Sequence, residues 1–416
     1  MRTPIGVIIF LSLLLLIDVY VFQSVKMVTN TSTIRNRNLV VFSYWTVVAL
    51  SVISFLLFVY TPQDFFGKKV RVYLFAMVIG LFLAKLLATT FFVIDDIRRI
   101  VQWTFSKAVA SPTISKSHEG DTLSRSVFLS WMGLIAGISL FGSLLYGFSN
   151  KYNYKVVKHK LSFDNLPSSF KGLKIIHISD IHTGSLLDKA AVEKGIKLIL
   201  EQKPDVVFFT GDLVNDRATE VEDYMDLFSQ IKAPLGVYSS LGNHDYGDYV
   251  KWPQDGISKE QNLDNLKKVH ADLGWRLLLN EHVVLEKNNE KIAVLGVENW
   301  SSKIRFPKYG KLENAYEGTD LYPFKILLSH DPSHWDAQVR TDYSDIDLML
   351  SGHTHGMQFG VEIPGIKWSP VQYVYKEWAG LYESGKNKLY VNRGFGFLGY
   401  PGRVGVMPEI TLLELI

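Results

Sequence analysis

The sequence predicts a layered α/β domain over residues 173–416, preceded by an all-α membrane domain of about four helices over residues 1–150. Three observations predict it. Four long apolar runs crowd the first 150 residues. Beyond them, short Val/Ile/Leu-rich runs alternate with helical patterns. Those short runs end repeatedly in polar clusters built from Asp, Asn and His.

A helix needs about 20 residues to cross a bilayer. The four runs, Pro4–Phe22, Leu39–Thr61, Val72–Ile94 and Val127–Phe148, meet that length. A cleaved signal peptide is an alternative for the first, but it is apolar up to Asp18 and lacks a small-x-small cleavage site. Any one run alone also reads as a buried helix of a soluble protein. Four in succession, separated by basic or polar loops, read as a multi-pass membrane domain. Orientation is nearly balanced, with eight basic residues flanking the runs on each side. The segment Ser124-Arg125-Ser126-Val127-Phe128-Leu129 resembles a twin-arginine export signal with one arginine lost. That resemblance tips the expectation toward an extracytoplasmic domain after the fourth run.

The remaining chain follows a simple rhythm. Leu173–Ile178 runs into Asp180-Ile181-His182, and Asp205–Phe209 into Gly211-Asp212. Val237–Leu241 runs into Gly242-Asn243-His244-Asp245, Phe324–Leu328 into His330-Asp331, and Asp347–Leu350 into Gly352-His353-Thr354-His355. Short continuous apolar runs are buried strands. Helical patterns over Asp188–Gln202 and Glu220–Lys232 between them argue for α/β layers. In such architectures a site collects at the carboxyl ends of successive strands. Asn153–Phe163 reads as one further strand in a linker over residues 151–172, Lys388–Val391 and Glu409–Ile416 as the last strands, and Tyr246–Trp275 as a polar insertion able to form a flap.

Composition excludes several chemistries. A formal charge of +3 gives no broad basic field, so no nucleic-acid partner is expected. The absence of cysteine removes disulfides, thiolate ligands and thiol nucleophiles.

Singly, an Asp-x-His or a Gly-Asp is a common turn. Jointly the clusters assemble two carboxylates, one amide oxygen and four imidazoles, a nitrogen–oxygen set that suits Mn, Zn, Fe or similar divalent ions. Two neighbouring ions need a shared carboxylate, and Asp212 is the natural bridge. A water shared by such a pair deprotonates near neutral pH, and the cations offset phosphate charge.

The ordered series Asp180-x-His182, Gly211-Asp212, Gly242-Asn243-His244-Asp245, His330 and Gly352-His353-x-His355 resembles the calcineurin-like metallophosphoesterase family. The resemblance implies a four-layer α/β/β/α sandwich and two divalent metal ions. It implies Asp180, His182 and His355 around the first ion, Asn243, His330 and His353 around the second, and Asp212 between them. His244 is then not a ligand but the group that assists the leaving oxygen. Asp245 either orients that imidazole or caps a turn.

The chain lacks the Asp-Arg-Gly triplet of the protein-phosphatase branch after Gly211-Asp212, which lowers phosphoprotein as substrate. Its tail, Asn392-Arg393-Gly394 and Pro401-Gly402-Arg403, is similar to the bacterial membrane-linked phosphodiesterase branch, with Met357 where glycine is usual. Asn215, Arg393 and Arg403 are the expected substrate contacts. The expected substrate is a phosphodiester or pyrophosphate, lipid-borne if the aromatic stretch Phe359–Tyr382 meets a membrane interface. That stretch reads equally as ordinary packing. His334 is a further candidate for substrate contact because it follows His330 closely. His177 reads as a core residue, and His118, His159, His270 and His282 as solvent-facing.

Overall fold

The computed structural model describes residues 4–62, 65–108, 124–253 and 256–416. It divides into two compact units, Met1–Tyr146 and Gly147–Ile416.

The first unit is helical. Helices α1 (Pro4–Val28), α2 (Ile34–Tyr60), α3 (Gly67–Ala108) and α4 (Arg125–Asn150) are each long and apolar enough to cross a membrane. Their outward faces carry large apolar side chains, among them Ile8, Phe42 and Ile138, as a lipid-facing surface requires. Helix α3 extends well past the apolar run ending at Ile94. No proline or glycine follows Ile94 within it, and Asp95–Arg98 and Asp96–Arg99 pairs support the added turns. Gly137 lets α4 approach α3 closely, since a Cβ there would lie 2.7 Å from the Ala84 carbonyl. Asp18 on α1 pairs with Lys85 on α3, and Tyr44 of α2 donates to the Asp18 backbone carbonyl at 2.7 Å. His118 lies outside the described residues.

The second unit contains fourteen described strands. In chain order they are β1 (Lys155–Leu161), β2 (Lys174–Ile178), β3 (Val206–Thr210), β4 (Val237–Ser240), β5 (Arg276–Leu277), β6 (Glu281–Lys287) and β7 (Glu290–Gly296). Then come β8 (Lys325–Leu328), β9 (Leu348–Ser351), β10 (Val361–Ile363), β11 (Ile366–Trp368), β12 (Gly380–Ser384), β13 (Asn387–Val391) and β14 (Glu409–Leu415). One six-stranded sheet has the order β1-β14-β2-β3-β4-β5, the other β12-β13-β9-β8-β7-β6, and β10 and β11 form a separate hairpin. Strands β2 to β5 run parallel, as do β7, β8, β9 and β13.

Alternation along these strands builds the layers. Ile175, Val206 and Phe208 of the first sheet meet Val294, Ile326, Leu348 and Leu350 of the second in a buried seam. Ile176, Val207 and Phe209 point the other way, against Val192 and Ile196 of helix α5 (Lys189–Glu201) and the short α6 (Met225–Phe228). Ala293, Leu327 and Met349 likewise face Leu312 and Ala315 of a second outer helix, Leu312–Tyr316. The result is the four-layer α/β/β/α order.

Asp188 caps α5 by accepting from the Ala191 N–H at 3.0 Å. The Glu220–Lys232 pattern is not one helix: it resolves into a 3₁₀ segment, Ala218–Tyr224, followed by α6. The described part of the Tyr246–Trp275 insertion divides: Tyr249 reaches the site, its hydroxyl accepting from Asn243 Nδ2 at 2.9 Å, while the helical part belongs to the core. Its helix, Lys259–Asp272, starts at a Ser258/Gln261 capping box and packs Leu266 into the core beside Trp275. His270 on that helix is buried, not solvent-facing, and bonds Ser239 Oγ at 3.0 Å. His159 and His282 are half-buried.

Candidate metal centre

Strands β2, β3, β4, β8 and β9 deliver their polar clusters to one end of the sandwich. Asp180, His182, Asp212, His353 and His355 all adopt positive φ, between 50° and 72°. Left-handed backbone at non-glycine residues costs on the order of 1–3 kcal/mol each and concentrates at functional sites. The adjoining glycines allow close approach: a Cβ at Gly242 would overlap Asp212 Oδ1, and one at Gly352 would overlap Asp180 Oδ2.

Two clusters emerge. Asp180, His182 and His355 form one, Asp212, His330 and His353 the other, and within each the offered ligand atoms lie within 4.8 Å of one another. Asp212 Oδ2 stands 3.1 Å from His330 Nε2 and 3.6 Å from His182 Nε2, so one carboxylate faces both clusters. His355 Nε2 is 3.2 Å from Asp180 Oδ1 and 3.0 Å from His182 Nε2.

The donor set fits divalent cations. Asn243 Oδ1 is buried with no hydrogen-bond partner, while its Nδ2 donates to the Tyr249 hydroxyl at 2.9 Å. An amide oxygen left bare in a polar pocket is what a metal ligand looks like before the ion arrives. His330 gives Nδ1–H to the Thr210 carbonyl at 2.6 Å, which turns Nε2 toward Asp212. His353 is held from the other side, with Nε2 2.8 Å from the Tyr375 hydroxyl, and that hydroxyl donates to Asp331 Oδ2 at 3.0 Å.

Electrostatics agree with a site built for positive charge. Burial lowers His182 to about 3 and His353 to about 4, keeping both neutral and able to donate a lone pair. Burial also works against charge on His330, but the Asp212 carboxylate beside it outweighs this and lifts the imidazole to about 10. Burial raises Asp180 to about 6, with the neighbouring Asp212 charge adding to it. Asp212 itself is held well below the carboxylate range: burial opposes its charge, and the surrounding histidines prevail. A divalent cation would take the place of the His330 proton.

His244 is half-buried and lines the cleft, with its Nδ1 2.8 Å from the Asn215 carbonyl and its backbone N–H donating to Asp212 Oδ1 at 2.8 Å. Asp245 does not orient that imidazole. Its carboxylate accepts backbone N–H groups of Gly242, Asp212 and Leu213 at 2.8 Å each, and so ties the β3 and β4 turns together.

Three expected substrate contacts are committed elsewhere. Asn215 orients His244 through its carbonyl and bonds Ser185 through its side chain. Arg393 is clamped between Glu362 and Glu409, and fully buried Arg403 donates to the carbonyls of Arg393 and Gly394. Both arginines carry charges that the fold itself must neutralise or bond. His334 also turns away: it bonds Ser329 and Gln338 and stacks on Trp300. His177 is a core residue bonded through Nε2 to Thr210 Oγ1 at 2.8 Å. Within the aromatic stretch, Tyr375 and Trp378 are buried, whereas Tyr373 is exposed.

The cleft over these residues has a volume of about 340 Å³. It adds Arg305, Phe306, Val374, Tyr375 and Leu398 to the residues expected from sequence. Tyr375 sits in the aromatic stretch and Asp331 follows His330, so both carried a positional hint. Tyr249 sits in the polar insertion noted from the sequence, and Arg305 carried no hint.

The chain matches the family described as "Calcineurin-like phosphoesterase" over residues 173–357, and "Probable Calcineurin-like phosphoesterase, transmembrane domain" over residues 1–151. It is 30% identical over 302 residues to an uncharacterized metallophosphoesterase of Bacillus subtilis, YkuE, covering 70% of this chain and 98% of that one. It is 30% identical over 270 residues to a transmembrane protein with metallophosphoesterase domain from Danio rerio, covering 63% of this chain and 57% of that longer protein. Phosphodiesterase YaeI of Escherichia coli is 27% identical over 268 residues, with 63% of this chain and 88% of that protein covered. The strand-end motifs, the two clusters around Asp212 and these relatives lead to one conclusion: the chain belongs to the calcineurin-like metallophosphoesterase family, joined here to a domain of four membrane-length helices.

Proposed function

We propose that this protein is a membrane-anchored phosphoesterase with two divalent metal ions, hydrolysing a phosphodiester or pyrophosphate bond of a lipid or lipid-linked substrate. The observation that carries the reading is Asp212, whose Oδ2 faces His182 on one side and His330 on the other. Mn, Zn or Fe ions held there would supply Lewis acidity, which lowers the pKa of water and offsets phosphate charge. Asp180, His182 and His355 would hold one ion, and Asn243, His330 and His353 the other.

The chain's own residues do the rest. With Nδ1–H given to Asn215, His244 presents Nε2 to the cleft, where its imidazolium form hands the Nε2 proton to the departing oxygen. Asp245 acts only through the backbone turns it secures. Phosphodiesterase activity in the name of YaeI favours diester over monoester chemistry. The four helices favour a substrate that partitions into a bilayer.

The test is hydrolysis of bis(p-nitrophenyl) phosphate by purified full-length protein. Chelation abolishes it, and Mn²⁺ or Zn²⁺ restores it. Full activity in protein verified metal-free would overturn the reading.

We place the catalytic domain outside the cytoplasm, on the basis of the Arg125 segment and of Arg98 and Arg99 in the last turns of α3 before it. A fusion at Ile416 to alkaline phosphatase, active only after export, reads this out. Fluorescence from a cytoplasmic reporter at the same point would reverse the assignment.

A second reading, a phosphoesterase output domain under a membrane sensor, draws on the buried Asp18–Lys85 pair. Ionisable residues inside membrane helices are commonly functional. Asp18→Asn that leaves hydrolysis unchanged under all membrane conditions would remove it.

A further inference from the structure

The cleft carries one strong cation that the metal chemistry does not use. Arg305 lines it, and among the described residues its guanidinium has no carboxylate or hydrogen-bond partner. It lies over the Phe306 ring at 4.6 Å, and Phe306 stands edge-on to His353 at 4.6 Å. Its charge also reaches the hydroxyls of Tyr249 and Tyr375. Those hydroxyls bond Asn243 and His353, and Phe306 packs on His353, so Arg305 enters the lining beside the Asn243–His353 half of the site.

Another part of the same lining is apolar. Met357 and Val374 are 57% and 48% exposed, and Pro370, Val371 and Leu398 continue the surface. An exposed apolar patch that adjoins polar catalytic groups marks a ligand surface rather than core. Among the described residues Asp212 is the only carboxylate in the lining, and it is committed to the metal clusters. Among the described lining residues none is left to pair with an ammonium head group.

We propose that Arg305 is the specificity residue that engages the substrate's phosphate charge, and that Met357, Val374 and Leu398 receive an apolar chain on the same molecule. The substrate class is then an anionic phosphodiester carrying one long alkyl or isoprenoid substituent. This rests on the phosphoesterase reading above and narrows it. A planar guanidinium suits this task because it offers paired donors to phosphate oxygens.

The experiment uses full-length protein in detergent with Mn²⁺ and a series of p-nitrophenyl alkyl phosphodiesters from methyl to dodecyl. In the wild type kcat/KM rises about tenfold or more from methyl to octyl, as burial of successive methylenes requires. Val374→Asp and Met357→Asp flatten that ratio toward one. Arg305→Ala raises KM about tenfold or more across the series with metal content unchanged, and Arg305→Lys recovers part of it. A flat chain-length profile in an otherwise active wild type overturns the apolar-chain assignment and leaves the phosphoesterase standing. An unchanged KM in Arg305→Ala overturns the arginine's role. No hydrolysis of any ester by metal-loaded protein instead overturns the phosphoesterase reading itself.

Discussion

The Tyr375 hydroxyl lies 2.8 Å from His353 Nε2 and passes its own proton toward Asp331. This places the His353 proton on Nε2 and leaves Nδ1, 3.3 Å from His330 Nε2, as the lone pair facing the second cluster. Burial opposes charge on Asp331, yet His353 and the Ser301 and Ser333 hydrogen bonds hold its carboxyl below the usual range.

Tyr375→Phe removes that anchor without a large change in volume. Loss of such an outer partner costs about 10–100-fold in metal affinity. Titration of apo protein with Zn²⁺ is expected to show weaker binding of one ion, while Tyr373→Phe, on an exposed ring, leaves it unchanged.

Asp212→Ala and His244→Gln separate the bridge from the acid. The first loses metal together with rate, because both clusters share that carboxylate. The second keeps its metal by elemental analysis and loses about 10²–10⁴-fold in rate, less for esters with good leaving groups.

Asp245→Ala leaves the N–H groups of Gly242, Asp212 and Leu213 without their shared acceptor inside the protein. A buried donor left without an acceptor costs about 1–3 kcal/mol. The expected outcome is a large fall in thermal midpoint even in chelated protein. A loss of rate alone, with stability intact, would return Asp245 to the imidazole-orienting role.

Acid should destabilise the second unit through its buried histidines. Burial lowers His270 to about 3, against 6.5 for the ordinary side chain. The unfolded chain therefore binds a proton that the folded chain refuses between those values. The stabilisation is complete above pH 6.5 and is lost progressively as pH falls toward 3. At pH 5 the loss is about 2 kcal/mol. Denaturation midpoints of wild type and His270→Gln, compared from pH 8 to pH 5, are expected to converge as the pH falls.

The sequence by itself determined the order of the two units, the strands that carry the motifs and all seven candidate ligands. The reason is local: a short apolar run must be a buried strand, and polar residues just past it must sit at its carboxyl end. The Glu281–Lys287 strand and the β10–β11 hairpin were less legible, because charged or exposed side chains blur the alternation at sheet edges. Only the tertiary structure decided what Arg393, Arg403 and Asp245 do. Each is a charge whose partners come from elsewhere in the fold, Glu362 and Glu409, the carbonyls of Arg393 and Gly394, and the β3 and β4 turns. A buried charge takes whatever partners the packing brings, and nothing in a local motif records them. Arg305 shows the converse. It stands in an unremarkable loop, and only the fold brings it into the cleft lining, over a Phe306 ring that packs on His353.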